Sequence, residues 1–497
     1  MTRRSGPIFV AIAIAISACA TIAVRQVDRT SQEARACTAA LDALDAQVRQ
    51  QDATDVEAFR VPGFPYLRST RFLAHFAAIT LSADRRAQWL GFMMERDREG
   101  RLVEAASLTA RGVVPAMSQA EIEQCGATLM ASDLRSDTAL AALRSAVRVP
   151  DSYQGWKRAL GLYPMTRLAS AWGYAGWQDD YLASFTNDFS PVERGFAIYA
   201  TSLNGRLKRD EVASLLSDAR QNPLAIPVVS GGALEALLAT HAPVWMVGQA
   251  SSSDQIGTPI WDSGRDEGVI VVDQAAPAVF GRLSFTWFDG EILPQLVYAV
   301  WFPERPKTGP FDLTGGSLDA VIWRVTLALD GRPLVYDSIH ACGCYHVFFP
   351  VPPVRRVPIP EDRDLRESAF VPSAAPRLRE AERLVIRLQA GTHYVSGLGT
   401  WGPADGALRG VVDAELVIGT EVPDQALRMA PTSDGHRRSL FGENGIIRQS
   451  RRLERWTLWP MGIKSPGAMR QWGTHATAFV GKRHFDDPFL IDRAFER

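Results

Sequence analysis

Residues 279–302 read VFGRLSFTWFDGEILPQLVYAVWF, two apolar runs joined by the pair Asp289-Gly290. β-Branched and aromatic residues fill both runs, and Asp-Gly is a strong signal for a two-residue hairpin turn. Residues 320–349 repeat this arrangement around Asp330-Gly331. We therefore expect two consecutive β-hairpins, which build an antiparallel sheet because each short turn reverses the chain.

The residues that follow these hairpins have the same character. Further strand candidates occur at 383–389 and 410–418. Proline-rich segments at 350–360 and 372–376 separate the candidates, since proline cannot occupy a central strand. We predict an antiparallel β domain over residues 231–430, either a sandwich or an open barrel. Residues 431–497 are rich in glycine, arginine and tryptophan, and we expect them to pack on the β domain as a C-terminal extension.

The first half of the chain has helical periodicity instead. An apolar stripe with three- and four-residue spacing runs through Ala34, Cys37, Leu41, Leu44 and Val48. Such spacing is typical of an amphipathic helix. Capping boxes at Ser118–Glu121 and Ser190–Glu193 mark two further helix starts. The expected fold class is therefore α+β multidomain, with an α-helical domain over residues 26–230 before the β domain.

Two of the five cysteines lie on these predicted helices. Cys37 and Cys125 both occupy apolar helix faces. In an oxidising compartment they could form a disulfide. The alternative is a pair of small core residues, which is how free cysteine usually packs.

The N-terminus predicts export of the rest of the chain. Arg3 and Arg4 precede an uncharged, mostly apolar run over residues 7–24, and Arg25 follows it. The run is just long enough to span a bilayer, which takes about 17–25 residues. Three interpretations of residues 1–25 fit: an uncleaved membrane anchor, a lipoprotein signal with Cys19 as the lipidated residue, or a cleaved signal peptide. The apolar run continues beyond Cys19, which favours the anchor.

Composition excludes several functional classes. The net charge is −1, so no excess of basic residues points to nucleic acid. The sequence contains no P-loop, no GxGxxG directly after a predicted strand, no GxSxG, no HExxH and no CxxC. These absences count against common nucleotide, hydrolase and thioredoxin chemistry.

The densest group of reactive side chains is His340-Ala-Cys342-Gly-Cys344-Tyr-His346. It falls in the second strand of the second predicted hairpin. Alternate residues of a strand point to the same face, so the sequence predicts that these four share one face. We expect both cysteines to line a cleft or a seam between domains, with a histidine within reach.

Several chemistries fit this segment. One ion could take only neighbouring members, because a straight strand separates the outer histidines by about 20 Å. A zinc or copper site would need further ligands from His393, His475 or His484. Alternatively, Cys342 and Cys344 form a strained disulfide, or one cysteine is a nucleophile with a histidine as base. The remaining interpretation is a structural strand whose polar face packs beneath another domain.

A second cluster, of arginines, lies in the C-terminal extension. Arg437, Arg438, Arg451, Arg452 and Arg455 precede or adjoin two tryptophans. Arginine beside tryptophan suits an anionic glycan, a phospholipid headgroup or a phosphate. An ordinary surface loop with ion pairs is the alternative.

Two functional hypotheses remain. The first is a membrane-anchored, periplasmic protein of a bacterial cell envelope that acts as a binding or accessory module for envelope glycan, lipid or protein. The second is an envelope enzyme that uses a metal or a thiol in the segment from His340 to His346. The first leads, because no catalytic motif is complete.

Overall fold

The computed structural model describes residues 29–187, 195–202, 205–262, 268–357, 367–402, 411–413, 415–418 and 425–497. The fold is mixed α+β, with a helical N-terminal region followed by a region rich in β-sheet. The apolar segment 7–24, with Cys19, lies outside the described residues. Within those residues, no helix has both the length and the hydrophobicity needed to cross a bilayer.

The described helices and strands have the following bounds. The helices are α1 (Gln32–Gln50), α2 (Arg71–His75), α3 (Ala83–Thr109), α4 (Gln119–Asp133), α5 (Asp137–Ala146), α6 (Gly155–Leu160), α7 (Tyr163–Ser184), α8 (Arg209–Ala219), α9 (Gly231–His241), α10 (Gln425–Arg428) and α11 (Leu490–Ala494). The strands are β1 (Phe59–Val61), β2 (Phe64–Ser69), β3 (Phe196–Ala200), β4 (Val244–Gly248), β5 (Thr258–Asp262), β6 (Val269–Asp273), β7 (Ala278–Phe288), β8 (Glu291–Arg305), β9 (Gly316–Leu327), β10 (Pro333–His340), β11 (Val347–Pro350), β12 (Arg355–Arg356), β13 (Arg383–Leu388), β14 (Val395–Trp401), β15 (Val411–Asp413), β16 (Glu415–Ile418), β17 (Ala430–Pro431), β18 (Arg437–Arg438) and β19 (Phe495–Glu496).

The predicted features of the helical region are present where the structure describes them. Every residue of the apolar stripe on α1 is buried. Ser118 and Glu121 form the capping box that begins α4. A disulfide joins Cys37 on α1 to Cys125 on α4, which confirms the first of the two alternatives for this pair. The second capping box, at residues 190–193, lies outside the described residues.

The two predicted hairpins are confirmed as the centre of a six-stranded sheet. Its strand order is β11-β10-β9-β8-β7-β16. Asp289 and Gly290 connect β7 to β8, and both have positive φ angles, as a type I′ turn requires. Gly331 also has a positive φ in the connection from β9 to β10.

The expectation of a purely antiparallel domain is wrong for a second sheet. This sheet has five strands in the order β14-β13-β4-β3-β15, and both the β13–β4 and β15–β3 pairs are parallel. Strand β16 is also parallel to β7 in the first sheet. These neighbours are far apart in sequence, and β3 comes from the region predicted to be helical. Long connections permit parallel pairing, whereas tight hairpins do not.

The two sheets share one apolar core. Trp245 on β4 and Leu388 on β13 belong to the same buried cluster as Tyr298 on β8 and Trp323 on β9. Side chains from both sheets are therefore buried in the same apolar cluster. Residues of α8 and α9, among them Leu216 and Leu238, complete this core.

The C-terminal extension contacts both regions of the chain. The backbone N–H of Arg470 donates to the carbonyl of Ala341 at the end of β10 (2.9 Å). Arg71 on α2 pairs with Asp486 at 2.8 Å. The extension therefore ties the helices to the six-stranded sheet.

A buried network of ion pairs holds the helical region together. Arg68 on β2 donates to Asp97 (3.0 Å) and Glu104 (2.8 Å) of α3, and its side chain is fully buried. Arg101 on the same helix donates to Asp97 (2.7 Å) and to Asp45 of α1 (2.9 Å). These charges are fixed relative to one another, since each lacks water and depends on its partners.

We predict that Arg68→Leu lowers the free energy of unfolding by about 3–5 kcal/mol, because it leaves buried carboxylates uncompensated. Urea unfolding followed by circular dichroism measures this loss. The matched control is Arg332→Leu, which breaks an exposed pair with Asp330 and should change stability by less than about 1 kcal/mol. Equal losses in the two variants would contradict the role given to the network.

Candidate functional site

The segment from His340 to His346 is a turn and not a strand. Strand β10 ends at His340, and β11 begins at Val347 and pairs back on β10. Within the turn, the backbone N–H of His340 donates to the carbonyl of Cys344 (3.0 Å). The predicted straight strand with four ligands on one face is therefore wrong. Positive φ angles at Gly343 and Tyr345 reverse the chain where the apolar pattern alone indicated continuation.

The C-terminal extension packs directly on this turn. A Cβ atom at residue 343 would lie 2.6 Å from the carbonyl oxygen of Ala476, so only glycine fits there. Arg470 donates through Nε to the carbonyl of Cys342 (2.9 Å), and His475 Nε2 lies 3.1 Å from the carbonyl oxygen of Ala341. The conformation of the turn is thus fixed from outside as well as by its own backbone.

The two cysteines of the turn interact with each other. Both are free thiols and both are buried. The backbone N–H of Cys344 lies 3.4 Å from Sγ of Cys342. A hydrogen bond from the Cys344 thiol lowers the pKa of Cys342 against the effect of burial, and the positive charge of Arg452 lowers it further. The same hydrogen bond and burial raise the pKa of Cys344. Cys342 is therefore the thiol that ionises first.

A buried carboxylate organises the residues behind the turn. Asp319 on β9 accepts from Nδ1 of His340 (3.3 Å), from Nδ1 of His393 (2.9 Å) and from Nη2 of Arg452 (3.2 Å). We call these four residues the Asp319 cluster. Burial would raise the pKa of Asp319, but its three partners hold it well below the ordinary value. Asp319 is therefore ionised.

The two imidazoles of the Asp319 cluster differ in charge. Burial lowers the pKa of His340 more than Asp319 raises it, so this imidazole is neutral at pH 7. His393 lies between two carboxylates, with Nε2 3.3 Å from Asp254. Burial opposes the charged form, yet hydrogen bonds to Asp254 and Asp319 raise the pKa of His393. Asp319 thus has beside it the guanidinium of Arg452 and an imidazole whose charged form is favoured by two carboxylates.

The last histidine of the turn has a different partner. His346 Nε2 lies 2.9 Å from Oδ2 of Asp337, and Arg324 donates to both oxygens of that carboxylate (2.9 and 2.6 Å). Burial lowers the pKa of His346 to about 3, despite Asp337. The two histidines of the motif therefore bind separate aspartates.

The turn opens into a cavity of about 540 Å³. Cys344, Tyr345 and His346 line it, whereas Cys342 is buried and does not. The other walls come from α7, from the segment between β12 and β13, from the β13–β14 connection and from the C-terminal extension. They include Ser170, Tyr174, Trp177, Glu367, Tyr394, Glu454, Met461 and Phe479. We call this space the thiol cavity.

The walls of the thiol cavity are mainly apolar, but they include two buried carboxyl groups, those of Glu367 and Glu454. Burial raises the pKa of Glu454, although Arg452 and Arg305 oppose it. Burial also raises the pKa of Glu367, whose Oε1 accepts from the backbone N–H groups of Phe479 (2.6 Å) and Val480 (2.9 Å). Both carboxyl groups therefore hold their protons to a higher pH than a solvent-exposed glutamate does.

Two tyrosines lie between the cavity and the Asp319 cluster. The rings of Tyr345 and Tyr394 contact each other with centroids 4.6 Å apart, and both contact His340. Arg305 donates to the hydroxyl of Tyr394 (3.0 Å) and stacks against both rings. The tyrosines therefore form a rigid wall between the cavity and the buried charges.

The predicted zinc or copper site is not seen. In the part of the chain that the structure describes, no three His, Cys, Asp or Glu side chains are placed to hold one ion. The additional histidines proposed as ligands are engaged elsewhere: His393 with the Asp319 cluster, His475 with the turn backbone and His484 with Asp151 at 3.2 Å.

The five arginines proposed as an anion site do not lie together. Arg452 is buried in the Asp319 cluster, and Arg438 stacks on Trp261 at 4.1 Å. Arg437 donates to the carbonyl of Met429. Arg451 and Arg455 line a separate surface hollow.

Sequence reasoning missed Asp319, Arg305, Glu367, Glu454 and the two tyrosines. One signal was available. Asp319 and Arg324 interrupt the run Leu318–Leu327, which is otherwise almost entirely apolar. A charge in a strand buried on both faces requires a partner, so such a residue marks a buried polar cluster. Nothing local indicates that Arg452, 133 residues away, supplies that partner.

We predict that Gly343→Ala destabilises the chain more than Gly290→Ala, although both glycines have positive φ. Alanine at 290 meets open space, so only backbone strain of about 1–2 kcal/mol is expected. Alanine at 343 also collides with Ala476, which adds roughly 1–3 kcal/mol. Urea unfolding of both variants measures the difference. Equal losses would show that the turn is not tightly packed.

Comparison of the chain with protein-family models, with curated proteins and with solved structures found no match. Its function must therefore be inferred from the two thiols, the cavity and the buried charges.

Proposed function

We propose that this chain is an exported cell-envelope protein that oxidises thiols through a Cys342–Cys344 dithiol/disulfide pair. The observation that carries the proposal is the proximity of two free thiols, with the backbone N–H of Cys344 3.4 Å from Sγ of Cys342 and only Cys344 lining a cavity. Thiol–disulfide exchange needs two such sulfurs, an accessible one for the substrate and a second one that leaves as a stable thiolate.

The electrostatics of the pair suit this division of roles. In the disulfide form, a substrate thiolate attacks Sγ of Cys344 from the thiol cavity and forms a mixed disulfide. The Cys342–Cys344 bond breaks, and its electron pair leaves on Sγ of Cys342. Arg452 and the backbone N–H of Cys344 stabilise that thiolate. A thiol of low pKa is the faster leaving group.

The second half of the reaction releases the product. A second substrate thiolate attacks the substrate sulfur of the mixed disulfide, and Cys344 departs as a thiolate and takes up a proton. The substrate dithiol loses two electrons and the cysteine pair gains them. Another disulfide in the same compartment must then reoxidise the pair. Because the reduced form is stabilised, the disulfide form is a strong oxidant.

Two features support this function over a hydrolytic one. Among the described residues, Cys344 has no hydrogen bond to a histidine that could act as its base, whereas it bonds to Cys342. The Cys37–Cys125 disulfide suits an oxidising compartment. The predicted apolar segment 7–24 supports export, by anchoring or by signal cleavage.

A binding role without chemistry is the second candidate. The thiol cavity has aromatic walls from Tyr174, Trp177 and Tyr394, and it has two carboxyl groups with raised pKa values. Such a space suits a small apolar or glycan-like ligand with hydrogen-bond acceptors. In that case the accessory role would survive the loss of both thiols.

We predict that the reduced chain reacts with a chromogenic aryl disulfide and releases about two thionitrobenzoate ions per chain, as mixed-disulfide formation is followed by resolution. Cys342→Ser should release about one ion and keep the adduct on Cys344, since no second thiol resolves it. Cys344→Ser should react at least about tenfold more slowly, because Cys342 is buried and does not line the cavity. Absorbance and peptide mass spectrometry measure these outcomes.

Two outcomes would contradict the proposed dithiol chemistry. Equal reaction rates for the two serine variants would contradict the assigned roles, and so would an adduct that persists on the unaltered chain. Circular dichroism of each variant controls for folding. Serine is nearly isosteric with cysteine, so both variants should keep the fold.

A further inference from the structure

The outer face of α6 and α7 exposes a continuous row of large apolar side chains. Trp172 is 81% exposed, Leu160 70% and Met165 69%. We call the row the apolar face; it comprises Trp156, Leu160, Leu162, Met165, Leu168 and Trp172. Exposed apolar groups of this number and size on one surface mark an interaction site.

A basic hollow adjoins the apolar face. It has a volume of about 410 Å³ and shares Trp156 with that face. Its basic residues are Lys157, Arg451, Arg455 and Lys464, and its other aromatic walls are Trp456 and Trp459. Trp456 is 68% exposed and stacks beneath Arg455 at 5.0 Å.

The basic groups of the hollow are available to an external anion. In the ranges that the structure covers, none of the four forms an ion pair with a carboxylate. Burial lowers the pKa of Lys157, and the charge of Arg470 lowers it further. Burial has the same effect on Lys464, which Glu443 partly offsets. An incoming phosphate would oppose this effect and raise the pKa of both amines, because it places negative charge beside them.

The combination points to one kind of partner. We propose that the apolar face and the basic hollow dock the protein onto a bilayer that contains anionic phospholipid. The apolar side chains would enter the boundary between headgroups and acyl chains, and the hollow would bind a lipid phosphate. An apolar helix face with tryptophans and flanking Lys and Arg is typical of helices that lie in a membrane interface.

Membrane docking does not depend on the dithiol chemistry, but it would position the two thiols close to the bilayer surface. The inner face of α7, through Thr166, Ser170, Tyr174 and Trp177, lines the thiol cavity. The helix therefore separates the cavity from the docked surface by one helix diameter, about 10–12 Å. Substrates carried at the membrane surface would reach Cys344 by a short path.

The test uses the full-length chain in lipid nanodiscs whose phospholipids are brominated in the upper acyl chain. Bromine quenches only tryptophan that enters the acyl region. With about 30% phosphatidylglycerol in the discs, we expect the tryptophan fluorescence of the unaltered chain to be quenched. The quenching should fall at least about threefold in Leu160→Glu/Met165→Glu, because charged side chains are excluded from the acyl region. Lys157→Glu/Arg451→Glu should weaken quenching in phosphatidylglycerol discs only.

The matched control is Val114→Glu, an exposed apolar position (83%) near the start of α4. It should leave quenching unchanged. The proposal is overturned if the tryptophan fluorescence of the unaltered chain is not quenched. It is also overturned if the fluorescence of Leu160→Glu/Met165→Glu is quenched as strongly as that of the control. A lipid-free dimer that the same double variant dissociates, without quenching in discs, would assign the face to a second copy instead. Binding of free phosphate in the hollow without quenching would likewise overturn it.

Discussion

A carboxylate without access to water must be matched by nearby positive charge and hydrogen bonds, and Asp319 meets this requirement with groups from three distant segments. His340 comes from β10, His393 from the β13–β14 connection and Arg452 from the C-terminal extension. Loss of any one partner removes either positive charge or a hydrogen bond that the buried carboxylate needs. The positions of these three segments relative to β9 are therefore coupled through a single side chain.

The same constraint positions the two thiols. His340 begins the turn that carries both cysteines, and Arg452 lies close enough to Cys342 to lower its pKa. Packing of Ala476 over Gly343 closes the turn, so that Cys344 reaches the cavity and Cys342 does not. Helix α7 then covers the cavity with its inner face and exposes an apolar outer face. In this account, one buried charge cluster holds the turn that carries the proposed chemistry, and α7 lies between that chemistry and the proposed membrane surface.

Local patterns predicted local features well. The Asp-Gly turns, the Ser118 capping box and the Cys37–Cys125 disulfide each depend on residues whose spacing already indicates helix or hairpin. The turn at residues 341–346 was missed because an apolar run continues on both sides of it, with Gly343 as its one local sign. The five-stranded sheet was missed because β3 lies in the region predicted to be helical and pairs with β15, near the far end of the β region. Of the candidate site, the sequence identified the cysteines and histidines, but their partners come from elements whose proximity depends on the tertiary fold.

The reduction potential of the Cys342–Cys344 pair tests the central claim most directly. The full-length chain is equilibrated in glutathione buffers, alkylated and analysed by peptide mass spectrometry, with Cys37–Cys125 as an internal structural disulfide. The account predicts a potential above about −220 mV, because the stabilised Cys342 thiolate favours the reduced form. Cys37–Cys125 should stay oxidised throughout, as structural disulfides do below about −300 mV. A Cys342–Cys344 pair that never oxidises, or one as hard to reduce as Cys37–Cys125, would contradict the account.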